Sequence, residues 1–266
     1  MSDVHQRFVN TDVIRRVDRE GALLLGGGRA LLLQLAHPSV AAGVADHSDF
    51  AADPWKRLLG TLDAMYAIVF GNEAEADRAA EIVRTVHERV TGPTYRATDP
   101  ALLCWVNATL VDTSLRVYRR LVGPLTPAEQ ETYYQQSTGV AEVLGCPRSE
   151  QPADLAAFRD YVRTMVGSLE VSDTAKELAA SILRPGRLPG PLGRLGGLAT
   201  EPPFALVRFV TVGMLPPPIR NQYGMRWDAR SAGALAGASF AARAAYPLLP
   251  APLRRVPLEW LRRRAA

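Results

Sequence analysis

The chain has 266 residues, 47% of them apolar and 22% charged, which allows a sizeable core and argues against a disordered chain. Aromatic residues make up only 7%, too few for a platform that stacks nucleic-acid bases. The net charge of +4 is local, because the last thirteen residues hold Arg254, Arg255, Arg262, Arg263 and Arg264 against Glu259, so the body is neutral and no nucleic-acid partner is expected.

Taken in order, the segments read as helices, and no alternating strand pattern of useful length occurs. Asn10-Thr11-Asp12 caps a short helix to about Glu20. Gly26-Gly27-Gly28-Arg29 lacks the Gly-Lys-Ser/Thr ending of a phosphate loop and reads as a tight turn into a helix over Gly28 to Ala36. His37-Pro38 interrupts that helix, and a second covers Pro38 to Ala45. Asp53-Pro54 starts a helix to Phe70, and Asn72 caps another to about Val90. Asp99-Pro100 opens the longest helix, ending near Gly123. Thr126-Pro127 with Glu129 has the form of a capping box and leads a helix to about Leu144. Helices over Ala153 to Ser168 and Ser172 to Leu183 follow. Residues 184–203, dense in proline and glycine, read as a linker or loop. Helices are then expected over Phe204 to Leu215, Asp228 to Tyr246 (Ala/Gly-rich, expected to pack closely) and Pro257 to Arg264. The division is a helical core over 1–183, the linker over 184–203 and a helical extension over 204–266 packed on the core. The fold class is all-α.

Two cysteines, Cys104 and Cys146, make neither a zinc site nor a disulfide framework. The polar start MSDVHQRFVN and the absence of eighteen clean apolar residues predict a cytoplasmic chain without stable membrane insertion. The tail pattern PLEWLRRR admits a membrane-surface anchor, but at this length reads better as a docked helix. Any imidazole chemistry falls to His5, His37, His47 or His87.

His37 lies in the apolar stretch LLLQLAHPSVAAGV, where a buried imidazole needs a partner or a ligand. Arg84 and His87 share a helix face with Val83, Val86 and Val90, which places both on or beside a buried face. Such a pair is read either as salt-bridging or as polarising bound dioxygen or holding a haem carboxylate. In LLCWVNATLVDTSLRVY, Trp105, Thr109 and Asp112 follow at helical spacing, and Asn107, Thr109 and Asp112 are polar residues in an apolar helix. Polar groups in such a helix normally pair with one another, which is the alternative to a site. No Gly-x-Ser-x-Gly, His-Glu-x-x-His or clustered Cys/His signal is present. Glu73/Glu75 and Glu129/Glu131 read as capping charges.

The strings RALLLQLAHPSVAAGVADHSDF, WKRLLGTLDAMYAIVFGNEAEADRAAEIVRTVHERVTG and YRATDPALLCWVNATLVDT resemble the mycophenolic-acid-pathway oxygenase family, of which latex-clearing rubber oxygenases are distant relatives. The resemblance runs from about Gly21 to Leu169, and more loosely to Tyr223. It implies a globin-like all-helical core, a haem b that cleaves carbon–carbon double bonds with dioxygen, a proximal histidine and a distal arginine. By that resemblance the Arg84/His87 helix is the distal element and the WVNATLVDT helix the proximal one. Many relatives carry WVHATL, with histidine where this chain has Asn107. The leading expectation is an oxidoreductase with haem between the two helices, His87 or His37 on the iron, and Arg84, Trp105, Asn107 and Thr109 around the cofactor. Its substrate would be small to medium and apolar, with dioxygen as co-substrate. The alternative is a haem-free enzyme of natural-product biosynthesis using His37, His87, Asp112 and Arg84 for acid–base work. A third class is a non-catalytic interaction protein.

Overall fold

A computed structural model describes residues 12–47, 54–183 and 197–256, with backbone alone for 54–59 and 197–203. The architecture is one all-α domain. Its helices are α1 (Val13–Asp18), α2 (Gly27–Leu35), α3 (Pro38–His47), α4 (Pro54–Phe70), α5 (Glu73–Arg89), α6 (Pro100–Val117) and α7 (Pro127–Val143). There follow α8 (Leu155–Ser168), α9 (Asp173–Leu183), α10 (Gly197–Met214), α11 (Pro217–Gln222), α12 (Ala229–Ala245) and α13 (Ala251–Arg254).

The start and stop signals act as their chemistry dictates. Asn72 and Glu75 form a reciprocal capping box at α5, and Thr126 and Glu129 form another at α7. Asp99 caps α6 ahead of Pro100. His37-Pro38 separates α2 from α3, as the proline requires.

Several elements depart from the sequence reading. A two-residue hairpin, Thr91–Gly92 with Tyr95–Arg96, follows α5, too short for an alternating pattern to show. The last turn of α6 widens into a π-helix over Tyr118–Val122 before Gly123. Helix α10 begins at Gly197, inside the expected linker, and carries Pro202 and Pro203 in its second turn. Pro216–Pro218 start α11 instead of only ending a helix, since proline suits a first turn. Helix α12 is mostly exposed and buries only Leu235 and Ser239, because a run of Ala and Gly offers little apolar area. Residues 184–196 of the expected linker and the expected helix over Pro257 to Arg264 lie outside the described residues.

The main core centres on α2 and α6. Leu32, Leu33, Trp105 and Val111 are buried against Tyr134 and Val140 of α7 and Ile68 and Val69 of α4. A smaller cluster, Val117, Leu121, Val210, Met214 and Leu235, seats α10 and α12 on this core. The segment after α13 returns to the end of α1, where the Val256 amide donates to the Arg19 carbonyl. No helix among the described residues is long and apolar enough to cross a membrane.

Candidate functional site

The helix carrying WVNATLVDT is fixed to α2 by four polar contacts. Fully buried Trp105 donates its indole N–H to the Leu33 carbonyl at 3.1 Å. Thr109 accepts from the Gln34 amide at 3.1 Å and donates to the Val106 carbonyl at 2.7 Å. Asp112 receives the guanidinium of Arg29 at 2.5 Å, and Arg116 one turn on at 2.8 Å. Arg29 is 1% exposed, and its other nitrogens donate to Thr113 Oγ1 and the Met214 carbonyl. Burial pulls the Arg29 guanidinium below its ordinary value, with the Asp112 charge opposing. Burial pushes Asp112 up, but the Arg29 and Arg116 charges outweigh it and hold the carboxyl low. Asp112 is therefore an ionised hub joining α2, α6 and the end of α10. Thr109 and Asp112 thus each reach α2 and do not bond one another.

The close approach of α6 also accounts for Gly26. A Cβ on Gly26 would fall 2.6 Å from Thr113 Cγ2 and 2.8 Å from Val117 Cγ2, so α2 and α6 touch backbone to side chain there. The glycine run serves close helix packing, with the 3-10 turn Gly21–Gly26 leading straight into α2.

Beside this seam lies a partly open chamber with a cavity volume of about 130 Å³. Its walls come from α1, the Gly21–Gly26 turn, α2, α4, α6 and α7, with Leu23, Leu31, Leu62, Met65, Val69 and Val111 among them. Half-exposed Leu24, at 45%, stands on the lining. Asn107 lines the chamber, and its amide makes no hydrogen bond among the described residues.

One carboxyl group also lines it. Asp18 ends α1, which is held from three sides. Arg15 donates to the Val69 and Phe70 carbonyls at the end of α4, Arg16 pairs with Glu129 of α7, and the Ile14 amide donates to Gln136. Tyr66 donates its hydroxyl to the Asp18 carbonyl at 2.8 Å, and Tyr133 donates to the Asp18 carboxyl at 2.9 Å. Burial pushes this carboxyl up to about 7, with the Tyr133 hydrogen bond pulling the other way. Nothing local in the sequence marks Asp18. It follows VIRRV at a helix end, and only tertiary packing turns it into the chamber.

The remaining candidates lie elsewhere. Arg84 is exposed and donates to the Val143 carbonyl at 2.6 Å, capping α7. Half-buried His87 sits on the same helix, and neither residue is among those lining the chamber. The expected buried face of α5 is corrected here. The helix buries Ala76 and Ala80, while Ile82 and Val86 are 60% and 51% exposed. Small alanines let α5 lie close against its neighbours while its many charged residues stay in water.

His37 stands at the α2–α3 junction, where its Nδ1 accepts the Ser39 amide at 3.2 Å. A neutral imidazole has one lone-pair nitrogen, and here that nitrogen is already engaged. Burial lowers the His37 value, with Asp99 opposing. His47 bonds the Thr91 carbonyl through Nε2, and His5 lies outside the described residues. Cys104 and Cys146, distant in sequence, meet in one buried cluster as free thiols.

A haem in the chamber would need an axial donor on its wall. Among the described residues the wall carries no imidazole, and Asn107 stands on it with an amide. An amide is a poor iron ligand beside imidazole. Tyr66 and Tyr133 are pushed up by burial and keep their protons for hydrogen bonds. No group of three or more His, Cys, Asp or Glu among the described residues is placed to hold a metal ion. The residues lining this chamber do not fit a histidine-ligated haem.

The sequence profile of the family described as ER-bound oxygenase mpaB/B'/Rubber oxygenase, catalytic domain, matches residues 14–263. The chain belongs to that family. It is thus an oxygenase catalytic domain by family, of a kind that acts on a substrate with dioxygen. The chain is also similar to two mycobacterial proteins described only as uncharacterized, one from Mycobacterium tuberculosis and one from Mycobacterium bovis. Each is 28% identical over 207 residues, covering 74% of this chain and 78% of the relative.

Proposed function

We propose that this oxygenase acts on a small to medium apolar substrate held in the chamber between α1, α2, α4, α6 and α7. The observation that carries the reading is the chamber itself. It is lined mainly by Leu, Val, Met and aromatic side chains, and Asn107 presents a free amide to it. Such a wall offers an apolar molecule a place out of water, and a few polar groups to fix its orientation. Dioxygen, small and apolar, enters the same kind of space. In this reading Asn107 contacts the substrate. Trp105, Thr109 and Asp112 are positioning residues that hold α6 against α2. Arg84 tethers α5 to α7 outside the chamber.

The test is oxygen uptake with a panel of apolar alkenes and ketones. Consumption that matches substrate loss, and that is suppressed by Ala30→Trp or Leu24→Trp at the chamber wall, is the expected result. Uptake unaffected by both chamber variants would sink the proposal. Haem titration is the companion measurement. Wild type is expected to show no Soret band, and Asn107→His to gain one. A wild-type Soret band would instead restore the haem reading, and His37→Ala and His87→Ala would show which histidine ligates.

A further inference from the structure

We propose that Asp18 and Tyr133 form a proton-donating anchor on the chamber wall that selects an apolar ligand carrying a carbonyl oxygen, such as a ketone, aldehyde or ester. The inference rests on the chamber being the substrate site and adds the chemical class of what enters it.

The argument is one of donors and acceptors. The Tyr133 hydroxyl is committed to one carboxyl oxygen of Asp18 at 2.9 Å. The other carboxyl oxygen makes no hydrogen bond among the described residues, and Asp18 lines the chamber. In its protonated form this carboxyl keeps the oxygen that accepts from Tyr133 as acceptor and carries the proton on the other. That proton points to no protein acceptor, so a ligand oxygen is the partner it lacks. Asn107 adds a second free donor on the same wall. Ser137 is already engaged, donating to the Tyr133 carbonyl, and Thr113 accepts from Arg29. With Asp18 protonated, its O–H and the Asn107 N–H are two uncommitted donors on this wall, and an acceptor oxygen on the ligand matches them.

The surroundings favour the neutral form of Asp18. Burial pushes its carboxyl up to about 7. Tyr66 on α4 and Tyr133 on α7 face it, both held protonated by burial. Ser114 of α6 lies at the Tyr133 hydroxyl. On its own helix Arg15 is turned to the Val69 and Phe70 carbonyls and Arg16 to Glu129. Beyond it come Arg19 and Glu20, and Glu20 accepts from Tyr246. A fixed cation that would hold Asp18 ionised is not among the causes of its shift.

The experiment is displacement of the neutral dye N-phenyl-1-naphthylamine from the full chain by 2-octanone and by n-octane, with dye affinity measured separately at each pH. Because the carboxyl titrates at about 7, 2-octanone is expected to bind about tenfold more weakly at pH 8 than at pH 6, and n-octane equally at both. Asp18→Asn keeps the shape and a donor but cannot ionise, so its 2-octanone affinity is expected to be flat with pH. Tyr133→Phe removes the hydrogen bond that favours the carboxylate, so the midpoint is expected to move to higher pH. Ketone binding with the same pH profile in wild type and Asp18→Asn overturns the anchor while leaving the chamber reading intact. Dye that fails to bind, or binds equally to Leu24→Trp and Ala30→Trp, overturns the chamber reading and the anchor with it.

Discussion

Replacing Arg29 with methionine tests whether the Asp112 hub is what locks α2, α6 and α10 together. The guanidinium is 1% exposed and donates to Asp112, Thr113 and the Met214 carbonyl, while the Asp112 side chain is 11% exposed. Removing one partner of a buried pair costs about 3–5 kcal/mol, because the remaining charge stays buried without compensation. Arg116 still reaches Asp112 at 2.8 Å, but its side chain is 49% exposed. The expected loss therefore sits near the lower end, about 3 kcal/mol. Arg116→Ala should cost under about 1 kcal/mol, as a half-exposed ion pair does. The double variant Arg29→Met/Asp112→Leu should recover most of the loss, since an apolar pair carries no desolvation penalty. Urea unfolding followed by far-ultraviolet circular dichroism, with the slope checked for constancy, gives each value. The sign with pH also follows. The folded Asp112 carboxyl is held below its ordinary 3.8, so its stabilisation is present above 3.8 and is lost as pH falls further. Arg29→Met indistinguishable from Arg116→Ala would refute the hub.

Two further outcomes are expected. Asp18 titrates at about 7 when folded against 3.8 otherwise, so the stability it contributes is full below 3.8 and is lost as pH rises to about 7. At about 1.4 kcal/mol per tenfold, that gap bounds the loss at about 4 kcal/mol, so Asp18→Asn should gain on wild type between pH 5 and pH 8 in chemical denaturation; parallel pH profiles would contradict it. Gly26→Ala forces a Cβ against Thr113 and Val117, and overpacking of this kind costs about 1–3 kcal/mol, read as a lowered Tm; an unchanged Tm would remove the close-packing account of the glycine run.

The chemistry of single residues set most of the helices. Proline after His37, the Thr126/Glu129 and Asn72/Glu75 capping boxes, and Asp99-Pro100 act through backbone geometry within a few residues, so they are legible in any context. The order of the family strings was likewise plain in the one-dimensional text. Arrangement in space was not. Arg29 reads as the end of a glycine turn until α6 supplies Asp112 from 83 residues away. Arg84 and His87 share a helical face by periodicity, but which face of α5 meets the protein depends on what α4 and α7 offer it. Asp18 becomes a neutral acid in an apolar wall only because Tyr66 and Tyr133, from two distant helices, enclose it. Local propensity fixes where a helix begins and ends. Burial, and with it the charge state of a side chain, is fixed by neighbours that the sequence places far away.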